Sequence, residues 1–225
     1  MSHLELDNPD PRMPLATLVR YKRSALLAIL VLLLLASPVI DDEGAGGVLL
    51  SALFTLVLIA GTLAIGQVRR DVFVVGALSV PWLYLTWLHP VWSGSVLDEV
   101  SAVILVICTL YLAGVLLASV VRAKSVTSDV LSGAIAVYFL IGIAWAVIYA
   151  LIEGLSPGSF AVADASRGTI WDQLLYFSFT TLTTLGYGDI APLTPVARIW
   201  TVFEAICGTL FLAVLVSRLV GLYKA

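Results

Sequence analysis

Thr184-Leu185-Gly186-Tyr187-Gly188-Asp189 decides the fold of this chain, as a short polar and aromatic run between two long apolar segments. Gly186 and Gly188 can take backbone angles that residues with side chains avoid. That freedom lets the successive carbonyls of Thr184, Leu185, Gly186 and Tyr187 turn toward one axis. The Thr184 hydroxyl can add a further oxygen below them. Tyr187 points outward and wedges the run against its surroundings. Oxygens lined along an axis replace a hydration shell, so the guest they suit is a dehydrated cation.

Upstream, Thr169-Ile170-Trp171-Asp172 has capping-box spacing, with Asp where Glu or Gln is commoner. The helix it starts is expected to run to about Thr183. At about 13 residues it reaches about 20 Å, too short to span a bilayer. It must dip in and turn back, which backbone at membrane depth tolerates only where protein or water satisfies it. Before it, Glu153–Gly168 reads as an exposed loop containing Pro157. After the run, Pro192 and Pro195 punctuate the return to a long apolar segment.

Composition supplies the membrane. The chain has 225 residues, 60% apolar and 12% charged, with a mean hydropathy of +1.05. Soluble domains carry about twice that charged fraction. Six stretches approach the roughly 20 residues a spanning helix needs: Ser24–Ile40, Val48–Gln67, Val72–Leu88, Val100–Val121, Val130–Ile152 and Val196–Leu222. Pro81 sits inside the third, and membrane helices tolerate proline better than soluble ones. Ser128 or Asp129 can cap the fifth. Arg20–Arg23 followed by Ser24–Leu35 also has the shape of a signal peptide, but the charge pattern below needs an even number of crossings.

With the N-terminus inside, the inner side receives Arg12, Arg20, Lys22, Arg23, Arg69, Arg70, Arg122, Lys124, Arg218 and Lys224. The outer side receives Arg167 and Arg198, completing the 12 basic residues of the chain. Cytoplasmic segments concentrate Lys and Arg, so both termini are expected to be cytoplasmic and the Gly-Tyr-Gly run to lie on the outer side. Trp82, Tyr84, Trp87 and Trp92 cluster at the outer interface, as aromatic belts do. Cys108 and Cys207 fall inside spans and read as packing residues. His3 and His89 are isolated, and no nucleophile–base pair or metal-ligand set accompanies them, so neither an enzyme nor a cofactor is indicated.

In this setting the run resembles the selectivity filter of potassium channels, T-x-G-Y-G followed here by Asp189. The resemblance implies an all-α membrane protein: six transmembrane helices, a re-entrant pore helix and an extended selectivity filter, assembled as a homotetramer because one strand cannot encircle an ion. It implies passive, selective K+ conduction, with K+ held by Thr184, Leu185, Gly186, Tyr187 and Gly188. Residues 1–23 are then a cytoplasmic segment, 24–121 a four-helix voltage-sensor-like unit, 122–129 a short linker and 130–225 the pore domain. The pore helix enters from outside, so the negative end of its dipole points at the membrane centre and favours a cation there.

The resemblance also assigns supporting roles. Gly208 is the expected hinge of the last helix, and Thr209, Leu212, Ala213, Val216 and Val220 recur at helical spacing toward the pore. A ring of Leu212, Val216 or Val220 could close it by dewetting; the same residues also fit one stripe of a helix apolar all round. Glu204 is an acid inside a span, where acids are costly and face protein or water. It is expected behind the filter as a protonated carboxyl bonded to Thr180 or Thr183, the alternative being an acid snorkelling to the outer interface. Tyr176 and Phe177 stand where many family members carry tryptophans. Phe cannot donate a hydrogen bond, so the usual tie to Asp189 is expected to be missing, with Tyr176 reaching Tyr187 of a neighbouring copy.

Two departures bear on gating. Val100–Val121 contains no Lys or Arg, so the lever of about 2.3 kcal/mol per charge per 100 mV is absent and voltage dependence is expected to be weak. The linker is short, which keeps the first four helices beside their own pore unit. Any tail-borne control would come from a partner chain. Expected partners are K+, lipid and further copies of the chain, not nucleic acid. Composition points to a prokaryotic plasma membrane. The competing readings are a poorly selective cation channel and, in another class, a regulatory or transporter-type membrane subunit.

Overall fold

The computed structural model describes residues 22–39, 45–65, 69–88, 95–162 and 168–223. The N-terminal segment, the basic residues Arg12, Arg20, Arg167 and Lys224, both histidines and Trp92 lie outside the described residues. In chain order the helices are α1 Lys22–Ala36, α2 Ala45–Ile65, α3 Arg69–Leu88, α4 Ser95–Val121, α5 Ser128–Leu155, α6 Ile170–Leu182 and α7 Pro195–Tyr223. Gly46–Ile65, Val96–Val121, Ser128–Leu155 and Pro195–Arg218 are long and apolar enough to cross a membrane. Among the described residues α1 and α3 fall outside that set: α1 is 15 residues long, and α3 opens on Arg69, Arg70 and Asp71. Pro81 sits within α3 without ending it.

Helices α1 to α4 pack as a bundle whose α1 and α4 lie against α5. One apolar core runs through both parts: Leu26 and Leu30 of α1, Phe54 and Leu58 of α2, Leu112 and Leu116 of α4, Val137 and Leu140 of α5 and Leu175 of α6. In lipid, tails are as apolar as these side chains, so close packing and polar ties rather than water exclusion hold the bundle. The ties are present at the inner end. Arg23 pairs with Asp129 at 3.3 Å and donates to Ser119 Oγ at 3.1 Å, while Ser24 donates to Ser132 at 3.0 Å. The four-helix unit therefore packs on the α5 of its own chain, as the short linker predicts. The cap of α5 is Thr127, whose hydroxyl accepts from Val130 N at 3.3 Å; neither Ser128 nor Asp129, the two residues expected from sequence, fills that position.

The outer loop is not irregular throughout. Phe160–Val162 forms β1 and pairs antiparallel with β2, Ile190–Pro192, in the register Phe160 to Pro192 and Val162 to Ile190. Glu153 accepts from Gly158 N at 2.6 Å and Phe160 N at 3.1 Å, folding the loop back onto the end of α5. Ser159 O accepts from Leu193 N at 2.8 Å, extending the join past β2. The fold is all-helical as expected, with this small two-stranded sheet added to the loop. Strands of three residues carry too few alternations to register as a period-two pattern.

Candidate ion-conduction site

The site is built on α6. Its N-terminus carries the expected capping box: Thr169 Oγ1 accepts from Asp172 N at 3.2 Å, and Asp172 Oδ2 accepts from Thr169 N at 3.3 Å. Two orphan amides are satisfied at once. Asp172 also accepts from Ser37, just past α1. Trp171 packs edge-on against Phe54 of α2, ring centroids 5.5 Å apart. Helix α6 is therefore pinned at its N-terminal end by the four-helix unit as well as by its own cap.

The run itself alternates in backbone handedness. Thr184, Gly186 and Gly188 have φ of 59°, 52° and 80°, while Leu185 and Tyr187 between them stay out of the positive region. In an ordinary strand successive carbonyls point to opposite sides; alternating hands turn them to one side. The amides confirm the direction. Leu185 N and Gly186 N both donate to Thr180 O, at 2.8 and 3.1 Å, and Thr184 N donates to Thr181 O at 2.9 Å. These three N–H groups face α6, so the carbonyls that precede them in the same trans peptides, of Thr183, Thr184 and Leu185, point away from it. Thr184 to Asp189 are all exposed within one chain. Among the described residues no group of three or more His, Cys, Asp or Glu could hold a metal.

Around the run, several expectations change. Tyr176 donates to Asp189 Oδ2 at 2.9 Å and stacks on Tyr187 of the same chain, ring planes 2° apart and centroids at 6.5 Å. The tie to Asp189 is therefore supplied by the Tyr176 phenol, a donor one position before Phe177. Phe177 faces inward, between Tyr149 and Phe160 at centroid distances of 5.2 and 5.4 Å. Glu204 is fully buried, not snorkelling, but Thr180 and Thr183 are not its partners. Their hydroxyls donate to their own helix, to Phe177 O at 2.9 Å and Phe179 O at 2.6 Å. Glu204 instead bonds Tyr149 of α5 and Ser178 of α6, the latter at 2.6 Å. Neither partner was legible beforehand, because a hydroxyl in an apolar helix gives no sign of the face it shares.

Helix α7 packs on α6 and α5 through Ala197, Thr201, Glu204, Gly208, Phe211 and Leu215, recurring every three or four residues. Only 11% of its span is buried within the chain, against 61% of α5. The expected pore-facing residues Thr209, Leu212, Ala213, Val216 and Val220 all lie on the exposed surface. Gly208 belongs to the packed stripe. A Cβ there would stand 2.1 Å from the Leu182 carbonyl oxygen, so the glycine is needed for close approach, and α7 passes through it as one helix.

The short helix α6, the Gly-Tyr-Gly run and the long exposed helix α7 lie within residues 130–224, which the ion channel family model matches. Three relatives are informative. The potassium channel protein kcv of Paramecium bursaria Chlorella virus 1 is 35% identical over 69 residues, covering 31% of this chain and 71% of that protein. The inward rectifier potassium channel Kirbac3.1 of Paramagnetospirillum magnetotacticum is 34% identical over 89 residues, covering 35% and 30% respectively. The two pore potassium channel c of Oryza sativa subsp. japonica is 33% identical over 83 residues, covering 37% and 18%. The chain belongs to the potassium channel family. These relatives are ion channels and not enzymes, and the chain spans less than a third of the length of the last two. No solved structure matches it significantly.

Proposed function

We propose that four copies of this chain form a potassium-selective channel that conducts K+ passively, with weak or no voltage dependence. The observation that supports the reading is the backbone of Thr184–Gly188, whose φ is positive at Thr184, Gly186 and Gly188 and not between them. Strained φ values persist only where the surroundings over-determine them, and in one chain the run is open to solvent. Copies meeting at a common axis close it. They also cover α7, most of whose surface has no partner within the chain.

Six spans follow if α1 and α3 cross with the four helices already long enough. Both termini are then cytoplasmic, the filter is outermost, and Arg23, Arg122 and Arg218 sit at the inner surface. Composition suits a prokaryotic plasma membrane. Val216 and Val220 are placed to narrow the inner pore. Reconstituting the purified protein in planar bilayers tests the reading. A reversal potential that follows the K+ gradient and ignores Na+ is expected. Equal permeability would establish a poorly selective cation channel, and the absence of current from verified tetramers would favour a regulatory subunit.

A further inference from the structure

The geometry points to Glu204 as a positioning residue for the filter, acting as a neutral carboxylic acid that bolts the pore helix to both membrane helices beside it. This deepens the channel reading and rests on it for its electrical readout, but the protonation claim stands apart.

The argument is a proton count. Ser178 Oγ lies 2.6 Å from Glu204 Oε1 and 2.7 Å from the carbonyl oxygen of Gly142 in α5. The Tyr149 hydroxyl reaches Glu204 Oε2. Three contacts need three protons, and the two hydroxyls supply two. If Glu204 were a carboxylate, either Ser178 and Gly142 or Ser178 and Glu204 would face each other oxygen to oxygen with nothing between. A carboxylic acid completes the set: Tyr149 donates to one carboxyl oxygen, the other donates to Ser178, and Ser178 donates to Gly142. No basic residue forms an ion pair with Glu204 among the described residues, and the side chain has no exposure. A lone buried charge there would be far costlier than a satisfied neutral group.

The relay reaches the filter in one further step. Ser178 precedes Thr180 by two residues on the same helix, and the Thr180 carbonyl takes the amides of Leu185 and Gly186. Four residues on from Glu204, Gly208 meets the carbonyl of Leu182. The inner helix thus grips the pore helix at its middle and at its end. Any shift of α7 at Glu204 is passed through Ser178 to the backbone that aims the filter carbonyls.

Glu204→Gln keeps an acceptor for Tyr149 and a donor for Ser178, whereas Glu204→Leu keeps neither. The expected result is a K+ over Na+ permeability ratio unchanged in Glu204→Gln and reduced about tenfold or more in Glu204→Leu, since buried groups lose their partners. Infrared spectra of the parent tetramer should contain a protonated-carboxyl C=O stretch that is absent from Glu204→Gln. Should Glu204→Leu fail to assemble, Ser178→Ala breaks the relay with little change in volume and should lower the ratio likewise. The proposal is overturned by a missing carboxyl band, by Glu204→Gln losing selectivity as far as Glu204→Leu, or by Ser178→Ala keeping the parental ratio. If the parent itself does not select K+, the channel reading fails, and the infrared comparison still judges the neutral acid.

Discussion

At the scale of single residues, conformation rather than space governs the conduction site. A Cβ added to Gly186 or Gly188 meets nothing within 4 Å, yet both hold positive φ. An L side chain in that region costs about 1–2 kcal/mol. Gly188→Ala should therefore assemble normally and lose K+ current, read by ion flux from vesicles against cross-linked tetramer yield; intact flux would refute the strain argument. Tyr176 makes a second prediction. Removing its donor in Tyr176→Phe deletes the bond to Asp189, worth about 1 kcal/mol, and sustained K+ current should decay faster. Phe177→Trp is not the repair that family likeness suggests. Its ring is packed against Tyr149 and Phe160, so a larger ring should cost about 1–3 kcal/mol by overpacking and lower the melting temperature, leaving current decay unimproved.

At the scale of elements, two helix contacts carry the architecture. Much of α6 was legible: its start, its length of 13 residues and its capping box follow from Thr169 and Asp172. Its fixation was not, because Ser37, Tyr149 and Phe54 reach it from helices distant in sequence. For α7 the glycine was visible but its reason was not. Gly208 reads as a hinge from family likeness, and the structure adds a backbone that it packs against. Gly208→Ala should separate the two roles. A methyl at 2.1 Å from a carbonyl must displace a helix, so tetramer stability in detergent should fall by several degrees, consistent with about 1–3 kcal/mol of overpacking. A substitution that altered opening while sparing stability would restore the hinge. The β1–β2 join was also hidden, since each strand is only three residues.

At the scale of the whole molecule, the four-helix unit is attached to the pore unit through a shared core and through Arg23, which reaches Asp129. Helix α4 carries no Lys or Arg between Ser95 and Val121, and its acids Asp98 and Glu99 stand in its first turns, so it has none of the basic charges that a membrane field would move through its span. Open probability should vary little between strongly negative and positive potentials, measured in symmetrical KCl; a steep conductance–voltage curve would place a sensor elsewhere. Arg218 donates to the carbonyl oxygens of Val121 and Ala123 at 3.0 and 3.5 Å. That contact joins the C-terminal part of α7 to the end of α4, so the four-helix unit touches the last helix directly.

The sequence by itself determined the membrane class, the short capped helix α6 and the Gly-Tyr-Gly run, because each depends on residues adjacent along the chain: an apolar length, a cap three residues wide, a pair of glycines. Tertiary structure alone decided the partners of Glu204, the donor to Asp189, the close contact at Gly208 and the β1–β2 join. Those contacts unite residues from separate helices and loops. In a helix apolar on every side, periodicity does not mark which face meets protein and which meets lipid, so only packing could choose.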